Sequence, residues 1–105
     1  MDLVEFLRAQ LDGDELFCEG AKCRCGIDGG LHDPDCPRRV LAEVAAKRRI
    51  VELADEASGL DAVVDGEFRV GSRDPVAEPY IGDLILRHLA APYAGHPDYD
   101  ARWRP

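Results

Sequence analysis

All four cysteines of this 105-residue chain fall in one run, CEGAKCRCGIDGGLHDPDC from Cys18 to Cys36, together with His32 and four of the ten glycines. Thiolates and an imidazole crowded into a short Gly-rich loop match the tetrahedral N/S preference of zinc. The segment has too few apolar side chains to hold itself by packing, so metal binding would supply the folding free energy it lacks. Five side chains, Cys18, Cys23, Cys25, His32 and Cys36, are candidates for a structural zinc site that takes four ligands. The expected set is Cys18, Cys25 and Cys36 with either Cys23 or His32, and the sequence leaves that last choice open.

Local chemistry shapes the loop around these donors. Gly26, directly after Cys25, can adopt the positive φ that turns backbone amides toward thiolate sulfur. His32 and Cys36 stand four residues apart, but Asp33-Pro34 between them favours a turn over a regular helix. The order Cys23-x-Cys25-x6-His32-x3-Cys36 resembles a Cys-Cys-His-Cys zinc knuckle in ligand order, with different spacings. An iron–sulfur cluster is a weaker reading: Cys18-x4-Cys23-x-Cys25 is one residue short of the plant-type spacing and leaves His32 without a role. A disulfide framework suits a secreted chain, whereas the N-terminus MDLVEFLRAQLDGDE is acidic and amphipathic, unlike a signal peptide. A cytoplasmic location is expected, where disulfides are rare. No apolar run approaches the roughly 20 residues of a membrane span.

The elements that must position the loop read as mainly α with a small β-hairpin, an α+β class: three helices around a Cys/His metal-stapled loop, residues 1–105 forming one domain. A hydrophobic fraction of 46% is enough for a core and argues against wholesale disorder. Asp2 is placed to cap a first helix over residues 3–11, with Leu3, Phe6, Leu7 and Leu11 on one stripe and Asp12-Gly13-Asp14 as its stop. Leu16 and Phe17 are expected to fasten the loop entrance to the core. Pro37 favours a helix start, and a central helix over 37–57 follows, ending at Ser58-Gly59. Val40, Leu41, Val44, Val51, Leu53 and Ala54 form its expected buried side. The run from Ala62 to Val70 places β-branched residues about Asp65-Gly66, the preferred type I′ turn, and predicts a hairpin whose Val63, Phe68 and Val70 pack on a helix. After a loop over 71–79, a third helix over 80–91 carries Ile81, Leu84, Ile85, Leu89 and Ala90 at helical spacing, with Gly82 weakening its first turn and Pro92 ending it. His88 near its end reads as a capping or surface residue. In the tail, 92–105, Tyr93, Tyr99 and Trp103 are too aromatic for a disordered appendage, and Trp103 is expected to be substantially buried, in a groove beside the central helix of the same chain or, as the alternative, on the surface of a partner or second subunit.

Three stretches carry a family resemblance: the N-terminal DLVEFLRAQLD, the turn His32-Asp33-Pro34 leading into RRVLAEVAAKRRIVEL, and the ending LAAPYAGHPDYDARWRP. Together they resemble an uncharacterised family of small actinobacterial and actinophage proteins, in which the helix reads roughly HDP-x-x-VLAEVEAKR and the chain closes on YADHPDY and a final W-R-P. In many relatives the Cys and His residues lie between the central and last helices, whereas here they precede the central one. The resemblance implies an actinobacterial or phage setting and no particular activity.

Charge narrows the functional classes. A formal net charge of −8 opposes nonspecific attraction to nucleic acid or to an anionic membrane. No Ser-His-Asp, Cys-His or paired-carboxylate arrangement points to catalysis. The leading reading is a noncatalytic interaction or regulatory module, stapled by zinc, with a host or phage protein as partner. A second is nucleic-acid binding through Arg24, Arg38, Arg39, Lys47, Arg48 and Arg49. A third, a metal-dependent hydrolase, requires an open metal position and a base such as Glu19 or Asp33, and the His-x-Glu…Pro-Cys-x-x-Cys deaminase signature is absent.

Overall fold

In a computed structural model the described residues are 1–20, 36–68, 71 and 74–105. They form three helices, α1 (Leu3–Cys18), α2 (Pro37–Phe68) and α3 (Ile81–Ala90), followed by short 3-10 turns at Ala91–Tyr93 and Ala101–Trp103. Asp2 caps α1 as its chemistry requires. Its carboxylate accepts from Glu5 N at 2.7 Å, and the Glu5 carboxylate accepts from Asp2 N at 3.3 Å, a reciprocal capping box.

α1 runs through Asp12-Gly13-Asp14 to Cys18 because those polar side chains find partners in the fold instead of turning the backbone. Asp12 Oδ1 lies 2.8 Å from the Arg48 guanidinium, and Asp14 accepts from the Tyr93 hydroxyl at 3.4 Å. The longer helix also overturns the expectation for Leu16 and Phe17, which are 71% and 88% exposed. Cys18, three turns beyond Leu7 and two beyond Leu11 on the same face, is buried instead.

The expected hairpin is replaced by helix. α2 passes Ser58-Gly59 and Asp65-Gly66 without interruption to Phe68, and no strand occurs among the described residues. A lone two-stranded hairpin is marginal in water, whereas extending an existing helix adds a hydrogen bond per residue without a new nucleation cost. The residues that most favour a break are tied to the α3 region: Ser58 Oγ donates to Asp83 at 2.8 Å and the Tyr80 hydroxyl donates to Asp65 at 2.9 Å. Val63 and Phe68, expected to pack inward, are exposed, and Val70 lies outside the described residues.

The helices pack on one another and on the tail, which corrects the picture of three helices arranged around a metal-stapled loop. The core is Phe6, Leu7 and Leu11 of α1, Val44, Val51 and Ala54 of α2, and Leu86 and Ala90 of α3. On α2, Leu53 proves to be about half exposed, and on α3 the buried stripe is Gly82, Leu86, Arg87 and Ala90, with Ile81, Leu84 and Ile85 outside. Gly82 sets that phase. A Cβ there would stand 2.1 Å from the Ala54 carbonyl oxygen and 2.4 Å from Ser58 Oγ, so only glycine lets α3 sit this close to α2.

The tail folds back within the same chain, but its rings gather on Phe6 of α1 rather than in the expected groove beside the central helix. Phe6, fully buried, meets Trp103 at 5.1 Å, His96 at 5.5 Å, and Tyr93 and Tyr99 at 6.1 Å between ring centroids. Edge-to-face contacts of this kind add about 0.5–1.5 kcal/mol each beyond area burial. Trp103 itself is half-buried over this cluster.

Candidate functional site

Of the five predicted metal ligands the structure describes two. Cys18 closes α1 and is 6% exposed; Cys36 directly precedes α2, its carbonyl accepting from Val40 N at 2.9 Å, and is 4% exposed. The loop therefore leaves and re-enters the helical body through two buried thiols. Cys23, Cys25 and His32 lie outside the described residues. Among the described residues no group of three or more His, Cys, Asp or Glu side chains is arranged to hold a metal ion, and no disulfide joins the described cysteines.

A concavity of about 550 Å³ opens between the start of α1, the middle of α2, α3 and the tail. Arg87, which sequence reasoning passed over, sits in its wall at 9% exposure and donates through Nη2 to the carbonyls of Pro75 and Val76, both at 3.1 Å. Those bonds fasten the segment before α3 to the helix, so the buried guanidinium serves the fold. The only hint in the sequence was its place beside Leu86 on a face seeded by Gly82. At the opposite rim Arg102 Nη2 lies 2.6 Å from Asp100, and its side-chain and backbone hydrogen bonds hold the Asp100 carboxyl down at about 2. The Tyr93 hydroxyl is pushed up from its ordinary pKa by burial first and by Asp14 second.

The basic residues of the central helix are largely committed to carboxylates. Arg39 pairs with Glu43 at 3.2 Å, Arg49 with Glu52 at 3.1 Å, and Arg48 reaches both Asp12 and Glu15 from the neighbouring helix. Those two hydrogen bonds raise the Arg48 pKa further. Arg24 lies outside the described residues. His88 is exposed on the last turn of α3, as a surface residue should be.

The surface that stands out is on α2. Along the face turned from the core, Ile50, Leu53, Leu60, Val64 and Phe68 are 40%, 48%, 69%, 57% and 78% exposed, and Ala57 is exposed between them. Their spacing of three and four residues draws a continuous apolar stripe on one side of the helix. The molecule is elongated along this helix: it measures 60 × 29 × 19 Å, with a radius of gyration of 17.2 Å, against about 13 Å for a compact chain of this length. Sequence reasoning misses it because it assigns Leu53 to the buried face of a shorter helix and Val64 and Phe68 to a hairpin.

Among the described residues no helix is long and apolar enough to cross a membrane. A family model matches residues 1–105, that of DUF6221, a family of unknown function. No curated protein and no solved structure matches the chain.

Proposed function

The chain belongs to DUF6221, and from its own residues we propose that it is a noncatalytic interaction module, a helical body stapled by zinc that presents α2 to a protein partner. The exposed stripe from Ile50 to Phe68 carries this reading, because apolar surface of that extent on a polar-rimmed helix marks an interaction site. The two buried thiols at the ends of the loop support the zinc part: Cys18 and Cys36 would be joined by Cys25 and by Cys23 or His32 in a closed set suited to a structural ion. The net charge and the carboxylate-paired arginines favour a protein over a nucleic acid as the partner.

Two measurements test the proposal. Purified protein should hold about one zinc per chain, and Cys36→Ser should lose it and melt earlier, more so than His32→Ala; metal analysis finding neither zinc nor iron ends the zinc part. Leu60→Glu and Val64→Glu remove no core contact, so they should abolish association with protein, whether another copy or a host component, while leaving helicity and melting intact. Unchanged association would overturn the interaction reading.

A further inference from the structure

We infer that α2 pairs antiparallel with α2 of a second copy of this chain. The inference rests on reading the stripe as a docking surface and names its occupant. Three features of the helix converge on it.

The first is charge. Residues 37–49 carry Arg38, Arg39, Lys47, Arg48 and Arg49 against the single acid Glu43, whereas residues 50–68 carry Glu52, Asp55, Glu56, Asp61, Asp65 and Glu67 and no base. Two such helices side by side in parallel set like against like. Antiparallel, each basic half lies along the acidic half of its partner, the self-complementary arrangement of a two-fold interface.

The second is size matching. Extended toward the start of α2, the stripe continues through Ala46 and Ala42, both exposed. Helices offset so that Ile50 of one copy meets Leu60 of the other also oppose Leu53 to Ala57, Val64 to Ala46 and Phe68 to Ala42. The largest side chains at the far end of each α2 thus face alanines at the near end of its partner, the alternation of large and small that lets helices interdigitate. The same register brings Lys47 of one copy alongside Asp61 of the other, both on the same flank of the stripe.

The third is need. Gly59 and Gly66 each lower the helical preference of the distal half, whose Leu60, Val63, Val64 and Phe68 find no cover among the described residues. Left uncovered, these side chains form an apolar patch of the kind that marks an association site.

The test uses the 105-residue chain as purified. Sedimentation equilibrium at micromolar concentration should report twice the 11.6 kDa chain mass, and Val64→Glu should raise the dissociation constant at least 100-fold with unchanged far-ultraviolet circular dichroism. Orientation is read on the unaltered protein by mixing ¹⁴N- and ¹⁵N-labelled copies and applying a zero-length carbodiimide, with mixed-isotope Lys47–Asp61 peptides expected. Within one helix those residues are about 21 Å apart along the axis and cannot be joined. A wild-type monomer at 200 µM, a dimer indifferent to Val64→Glu, or mixed-isotope crosslinks confined to like ends of α2 would each overturn the pairing. A monomer that still binds a host protein through Leu60 and Val64 would do so while leaving the interaction reading in place.

Discussion

Gly82→Ala adds one methyl group at the closest approach of two helices. That Cβ would lie 2.1 Å from the Ala54 carbonyl oxygen, 2.4 Å from Ser58 Oγ and 3.0 Å from Ser58 N, where ordinary contact begins at 3.4 Å. Ser58 Oγ could rotate away, at the expense of its 2.8 Å bond to Asp83, but the carbonyl belongs to the α2 backbone and cannot. α3 must therefore move off by more than 1 Å, loosening Leu86 and Ala90 in the core. Overpacking of this kind costs about 1–3 kcal/mol, and a backbone obstacle places it near the top of that range. Alanine returns at most about 0.5–1 kcal/mol of helix propensity, leaving a net loss of about 2 kcal/mol. For a domain of this size that lowers the melting temperature by roughly 10 °C. Gly59→Ala is the matched control, because a Cβ there meets nothing within 4 Å; the same substitution inside the same protein should raise the midpoint by a few degrees. Thermal melts followed by circular dichroism decide the matter. A Gly82→Ala protein as stable as wild type would refute the close packing of α3 on α2.

Trp103→Ala strips one side of the cluster around Phe6 and, from a half-buried position, should cost about 2 kcal/mol, below the 3–5 typical of full burial, seen as an earlier urea midpoint. Asp100 should titrate near 2, and because its folded pKa lies below its unfolded one, its contribution is present above pH 4 and fades as pH falls toward 2; a carbon-detected NMR titration with a midpoint near 4 would show the Arg102 contact absent in solution. Tyr93 works in the opposite sense: its raised pKa keeps the folded state favoured below pH 10 and destabilises it as the pH climbs past that point, so Tyr93→Phe should flatten the alkaline limb of the stability profile. Arg48→Ala, which removes partly exposed pairs with Asp12 and Glu15, should shift stability by no more than about 1 kcal/mol, with the effect shrinking in high salt.

Short-range chemistry was legible in the sequence itself. Asp2 followed by Glu5 determined where α1 begins, Pro37 determined where α2 begins, Pro92 bounded α3, and the aromatic density of the tail foretold that it would pack. Membership in a family of unknown function was also readable, from motifs at both ends of the chain. What lay beyond reach were the positions where local preference and tertiary contact disagree. Asp12-Gly13, Ser58-Gly59 and Asp65-Gly66 each signal a break, and each is carried through helix, because partners distant in sequence, Arg48, Asp83 and Tyr80, take up the polar side chains. Gly82 looked like a weak point in a first turn and is the seat of a helix crossing, a role that exists only once Ala54 stands opposite it. Of the candidate metal site, the clustering of donors came from the sequence, and the burial of Cys18 and Cys36 came from the phase of two helices longer than their local signals allowed. Periodicity says that a helix has an apolar face; which of two such faces is buried is decided by the shape of what packs against it, and on α2 that choice left the Ile50–Phe68 stripe outside.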